Sequence, residues 1–132
     1  MTVIGVDDTD SRTRGMCTTY LATRLAARLS ADGASVRRKL LVRLNPAVEH
    51  KTRGNAALAL HTDADPDRAL SLAAAELDPL AETDDPRTSP GVVVAPGSPD
   101  EVPNAVRSFS RRAVRDILDR ESAVDLADRV GY

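Results

Sequence analysis

Three aspartates, Asp7, Asp8 and Asp10, follow directly on a short apolar run from Val3 to Val6. A strand that stops on clustered acids adds little to a core, but it can hold a divalent cation against a phosphate. Hard cations such as magnesium take carboxylate oxygens and keep waters that bridge to substrate phosphates. Side chains alternate across an extended strand, so Asp8 and Asp10 share a face and Asp7 lies opposite. A turn at residues 8–11 would gather all three. Carboxylates packed together repel, so a cation or an arginine is expected beside them. The competing reading is a capped loop in which Asp and Ser side chains bond only backbone amides.

A second cluster follows at once. Gly15-Met16-Cys17-Thr18-Thr19-Tyr20 precedes and opens the next apolar periodicity. Free amides at a helix N-terminus bind anions, and nearby hydroxyls add donors without adding charge. An ATP phosphate facing Gly15, Thr18 and Thr19, with magnesium held by the acids opposite, is a coherent arrangement. The P-loop spacing G-x-x-x-x-G-K is absent, and Thr18 and Thr19 equally suit ordinary capping. Cys17 has no histidine near it in sequence to make a thiol nucleophile, so it is expected as a small buried residue. The D-x-D-x-T signature of haloacid-dehalogenase-type phosphatases is incomplete: Asp8 and Asp10 fit, but Arg12 stands at the threonine position.

The third cluster is basic. Arg43, Lys51 and Arg53 surround a connection that runs from Arg43-Leu-Asn-Pro to His50-Lys-Thr-Arg-Gly-Asn55. Arginine and lysine clamp triphosphate or RNA backbone, and Gly54 permits close backbone approach. His50 has no metal-ligand spacing to His61. Stacking aromatics of the RRM type are missing, so any RNA must be held by shape and phosphate contacts.

The elements that must position these clusters are legible from periodicity. Thr2–Val6 reads as a strand, and residues 7–16 as a turn. Leu21, Leu25 and Leu29 recur every four residues in a helix from Cys17 to Ser30 that packs on a sheet. Ser35–Leu44 is a strand with Val36, Leu40, Val42 and Leu44 assigned to one face. A third strand spans Ala56–His61. Asp65-Pro66 caps a helix carrying Leu70, Ala73, Ala74 and Leu77. Residues 82–90 form an acid- and proline-rich loop, Val92–Ala95 a fourth strand, and Pro96–Pro103 a mobile connection. A helix over Asn104–Asp119 points Val106, Phe109, Ala113 and Ile117 inward. Its arginines, Arg107 to Arg115, are expected to pair with the acidic second half. A short terminal helix without a clear apolar face ends the chain. The order β-α-β-β-α-β gives an α+β, ferredoxin-like sandwich with an additional C-terminal helix, the alternative being an incomplete piece of a larger α/β domain.

Composition bounds the function classes. The 132 residues suit one core, and 42% are hydrophobic with no tryptophan, so that core is aliphatic. One cysteine excludes an intrachain disulfide and a cysteine-rich zinc site. No apolar stretch has the length of a membrane span and no signal-peptide pattern precedes the first strand, which predicts a soluble cytoplasmic protein. Residues 1–55 hold ten Arg/Lys against five Asp/Glu, and residues 56–132 hold eight against fifteen, giving +5 and −7. A mildly acidic protein with a basic front half can hold a polyanion locally.

Five runs in this order, VIGVDDTDS, RGMCTTYLA, VRLNP, KTRGNAA and TSPG, resemble the N-terminal part of the archaeal tRNA(Ile) 2-agmatinylcytidine synthetase family. The resemblance implies a ligase that uses ATP and Mg2+ to activate the wobble cytidine of isoleucine tRNA by phosphorylation, then conjugates agmatine at its C2. It implies the tRNA anticodon and agmatine as partners. Asp7, Asp8 and Asp10 match the family's acidic nucleotide and metal site, and Thr18 its threonine near the reaction centre, which is phosphorylated in the family. Those four are the implied catalytic residues; Gly15, Thr18, Thr19, Arg43, Lys51 and Arg53 are the implied cofactor-binding ones. Family members are much longer, so residues 1–132 are expected to be the N-terminal portion of a kinase-like domain, with downstream domains absent and activity in isolation doubtful. The competing class is a stand-alone nucleotide- or RNA-binding module without ligase activity.

Overall fold

The computed structural model describes residues 1–45, 47–49, 51 and 55–132. Four strands, β1 (Thr2–Asp7), β2 (Val36–Arg43), β3 (Ala56–Thr62) and β4 (Gly91–Pro96), form one sheet in the order β2-β3-β1-β4. Every neighbouring pair is antiparallel. Helices α1 (Thr18–Ala31) and α2 (Pro66–Leu77) cross over between strands, and α3 (Asn104–Ala113) and α4 (Arg120–Val130) follow β4. This is the ferredoxin-like order, since β3 lies between β1 and β2, and β1 between β3 and β4.

One face of the sheet makes the core. Ile4, Val6, Leu58, Leu60 and Val94 point at Leu21, Leu25 and Leu29 of α1 and at Ala69, Leu72 and Ala73 of α2. Asp65 caps α2 by accepting from the Arg68 amide at 3.1 Å, with Pro66 in the first turn. Leu25 is fully buried at the centre. Leu25→Ala is expected to cost about 2–5 kcal/mol, as large-to-small changes do in packed cores, read as a lowered urea midpoint at unchanged slope.

Helix α2 corrects one expected face. Ala69, Leu72, Ala73 and Glu76 form its buried stripe, while Leu70 is exposed. The i, i+3, i+4, i+7 spacing is obeyed, but its last position is a carboxylate. Glu76 is buried because Arg24 and Arg28 of α1 reach it at 2.8 and 3.3 Å. Arg68 grips Asp32 with two guanidinium nitrogens, tying α2 to the end of α1.

Strand β2 departs further. Its register against β3 steps from Val36↔Thr62 to Arg38↔His61, a bulge that inserts Arg37. One extra residue reverses which face every later side chain takes. Val36 therefore shares the face of Thr62 toward the helices, whereas Leu40 and Val42 oppose Ala59 and Ala57 on the other face. Lys39, Leu41 and Arg43 take the helix side. The single face assigned to Val36, Leu40 and Val42 from strict alternation is thus split, and Leu40, Leu41 and Val42 are all exposed.

The C-terminal third differs in three ways. The connection after β4 is ordered by hydrogen bonds: Ser98 and Glu101 form a capping box around a short 3-10 turn at Pro99–Glu101, and the Gly97 amide donates to the Met1 carbonyl. Helix α3 stops at Ala113 and buries no residue, and Ile117, expected inside, is exposed. The helix face of the sheet is already filled by α1 and α2, so Val106 and Phe109 only line a groove beside β4 with Val124 and Tyr132. Arg107 donates to the carbonyls of Val102, Pro99 and Asp100 rather than to an acid. Among the described residues no helix is long and apolar enough to cross a membrane.

Candidate functional site

The topology sends the chemistry-bearing loops to one end of the sheet. Strands β1 and β2 finish there, and β3 and β4 begin there. The acid loop after β1, the start of α1, the connection from β2 to β3 and the segment before β4 therefore emerge together. With strands about 4.8 Å apart, the ends of β1 and β2 are separated by roughly 10 Å.

The acid loop is built by a left-handed residue and a clasp. Asp8 has φ +52, which turns the chain sharply off the end of β1. Aspartate tolerates that region better than most residues. The Asp8 carboxylate accepts the Ser89 amide at 2.8 Å. Further on, Thr88 Oγ1 donates to the Asp10 carbonyl at 2.8 Å, and the Glu82 amide donates to the Thr9 carbonyl at 2.9 Å. Asp85 takes both the Arg12 amide and its Nε at 3.0 Å, and Arg14 meets Glu82 at 3.4 Å. Residues 82–89 thus hold the loop 8–14 along its whole length. From sequence that segment reads as a plain loop; the signal that could have exposed its role was the match of its acids, Glu82 and Asp85, to Arg12 and Arg14.

Inside the clasp, Ser11 Oγ accepts the amides of Thr13 and Arg14, at 3.3 and 2.6 Å, and donates to the Arg14 carbonyl. Thr9, Asp10 and Ser11 are buried. Burial pushes the Asp7 carboxyl up to about 6, with the charges of Asp8 and Asp10 adding to the rise and the Asp8 amide opposing it. Arg12 holds the Asp85 carboxyl well below the usual carboxylate range, by side-chain and backbone hydrogen bonds. Among the described residues no group of three acidic, histidine or cysteine side chains is arranged to hold a metal ion. Asp7, Asp8 and Asp10 are close enough to feel one another's charge, but they do not form a ready-made cage. Magnesium needs no such cage, since one or two carboxylates, waters and substrate phosphates complete its shell. The donor set fits that ion: hard oxygens, one of them a carboxyl whose charge the fold disfavours.

The start of α1 stands against this loop. Thr18 is buried, and its Oγ1 receives the Thr9 amide at 3.4 Å and the Thr9 hydroxyl at 3.2 Å. Thr19 is exposed. Cys17 occupies the N-cap in an extended conformation, with no side-chain cap bond, and is exposed, not buried as expected: it lies ahead of the helix and outside its buried stripe. Gly15 has φ +82, and a Cβ there would come 2.6 Å from Cγ of Glu82. Gly15→Ala is expected to cost about 1–3 kcal/mol through backbone strain and a displaced Glu82, measured as a lowered thermal midpoint. Of the basic cluster, Arg43 is exposed at the end of β2 and Lys51 is partly buried in the connection. Asn55 closes the base of that connection: its carbonyl accepts the Leu44 amide and its side chain donates to the Asn45 carbonyl. Arg53 lies outside the described residues.

A split β-α-β sandwich with its acidic, hydroxyl-bearing and basic loops at one sheet end defines a class: an α+β domain whose polar chemistry is carried at a single rim. The chain matches the TiaS TCKD domain over residues 3–64 and 59–132, and it belongs to that family. It is 56% identical over its whole length to TiaS of Haloquadratum walsbyi, a 2-agmatinylcytidine synthetase of isoleucine tRNA, covering 29% of that protein. It is 40% identical to the TiaS of Pyrococcus horikoshii over 97% of this chain and 30% of the relative. A crystal structure of TiaS in complex with isoleucine tRNA and ATP superposes with a TM-score of 0.81 at 33% identity, over 97% of this chain and 30% of that one. A TiaS complex with the same tRNA, AMPCPP and agmatine gives 0.75 at 29% identity, again over 97% and 30%. The chain thus spans about 30% of the length of the relatives it matches.

Proposed function

We propose that this chain supplies the nucleotide- and magnesium-handling rim of an ATP-dependent ligase that phosphorylates the wobble cytidine of isoleucine tRNA and conjugates agmatine to its C2. The observation that carries the reading is the clasped acid loop. It keeps Asp7, Asp8 and Asp10 within electrostatic reach of one another at the end of β1, beside the start of α1 and about two strands from Arg43. Bound magnesium would neutralise phosphate charge and orient the triphosphate. Asp7 is the carboxylate best placed to hold it, because a cation reverses the burial and repulsion that raise its pKa. Asp10 is the second candidate. Asp8 serves mainly to fix the loop through Ser89. Gly15 and the amides of Thr18 and Thr19 face phosphate oxygens, and Arg43 and Lys51 offset the remaining negative charge from the β2–β3 side. For Thr18 to act as an acceptor or donor of phosphate, its contact with Thr9 must open.

The decisive test joins this chain to the remaining part of the Haloquadratum relative and supplies ATP, Mg2+, labelled agmatine and isoleucine tRNA. Label transferred to the anticodon cytidine, and lost without ATP, supports the ligase. No transfer, with the tRNA still bound, leaves a nucleotide- or RNA-binding module instead.

A further inference from the structure

We infer that the exposed edge strand β2 is a track for an RNA phosphate backbone, with Arg38 and Lys39 as contact residues that lead toward the acidic rim. The inference rests on the proposed RNA substrate and adds the surface that receives it. Strand β2 reads Val-Arg-Arg-Lys-Leu-Leu-Val-Arg, with four cations and no acid in eight residues. From Gly33 to Val48 the sequence holds no Asp or Glu. Its neighbour β3 carries no charged residue other than a histidine, His61, directly opposite Arg38.

Arg37 feels the attraction of Asp63. Arg38, Lys39 and Arg43 have no acidic side chain within ion-pair distance among the described residues. All four cations are exposed. In a chain of net charge −2, three cations of one strand without an acidic partner are a local anomaly that a polyanion relieves.

Geometry gives the run a direction. At about 3.3 Å per residue, Arg37 to Arg43 covers roughly 20 Å, long enough to run beside several phosphates of one strand. The bulge at Arg37 puts Arg38 on one face of the sheet and Lys39 and Arg43 on the other, so the edge offers cations on both sides of a passing backbone. The track ends at Arg43, on the rim where the acid loop lies. Exposed Leu40, Leu41 and Val42 between the cations offer apolar contact to ribose. The arginines of α3 are a weaker candidate, since residues 100–128 carry seven acids against five arginines.

The test measures binding of a short fluorescein-labelled RNA hairpin by the 132-residue chain across a salt series, without ATP, Mg2+ or agmatine. Each phosphate contact contributes about 0.7–0.9 to the slope of log K against log salt. The double variant Arg38→Gln/Lys39→Gln is expected to bind about tenfold more weakly at low salt, with a slope shallower by about 1.5. The variant Arg111→Gln/Arg112→Gln on α3 should keep the wild-type slope. The proposal is overturned by a wild-type chain that binds no hairpin, or by a β2 variant of unchanged slope. It is also overturned by a β2 variant that keeps its RNA affinity but self-associates in sedimentation, which would make the cations guards of a sheet edge. Circular dichroism confirms that each variant is folded. Because nucleotide and agmatine are omitted, this result stands or falls separately from ligation.

Discussion

Asp7→Asn is expected to make the metal-free chain more stable near neutral pH while abolishing the Mg2+-dependent nucleotide binding proposed for the rim. The Asp7 carboxyl is pushed up to about 6 in the folded protein, mainly by burial. Its unfolded value is near 3.8. The folded state therefore holds the proton more tightly, and stability falls as pH rises from about 4 to about 6, then levels off. Asparagine keeps the shape and carries no charge to bury. The variant's advantage should be absent below about pH 4 and full above about pH 6, on the order of 2 kcal/mol. Urea titrations across that range measure it. Saturating Mg2+ with ATP should raise the thermal midpoint of the wild type and leave the variant unmoved. A variant no more stable than wild type at neutral pH would show that Asp7 carries no burial penalty, and one that still responds to Mg2+-ATP would remove it from the cation site.

Asp85→Ala should loosen the acid loop without unfolding the sheet. One carboxylate receives the Arg12 amide and Nε and the Arg87 amide, so its removal opens both sides of the clasp. Trypsin cutting after Arg12 and Arg14 is expected to speed up on the order of tenfold as local protection is lost. Nucleotide affinity should fall by a similar factor while the urea slope stays unchanged. The Asp85 carboxyl is held below the usual range, so the clasp is fully present at neutral pH and weakens as pH falls below it. Unchanged proteolysis would show that the other clasp bonds suffice without it.

The sheet and its two crossover helices could be read from the chain because their signals are local. Leu21, Leu25 and Leu29 repeat at helical spacing, and Asp65-Pro66 announces α2 by its cap. What could not be read depends on distant partners. Glu76 looks like a surface residue until Arg24 and Arg28 arrive from another helix. The Arg37 bulge leaves no composition mark, yet it reverses the faces of the rest of β2. Ile117 keeps helical spacing, but no surface is left to receive it. At the site, residue types and positions were visible: acids after β1, hydroxyls at α1, cations after β2. Their individual tasks were not. Asp8 is committed to Ser89, eighty-one residues away, and Thr18 to Thr9.

Strand β1 is the second residue to the seventh of the chain, yet it lies inside the sheet with β3 on one flank and β4 on the other. A ribosome therefore releases β1 long before either flank exists. Its first neighbour begins at Ala56 and its second ends at Pro96. The acid loop is likewise made before its clasp residues, which come some seventy to eighty positions later. During synthesis the clasp cannot close until Ser89 has been made, so shorter nascent fragments carry the acids without the geometry. The order of synthesis therefore sets when the acid loop can take its shape.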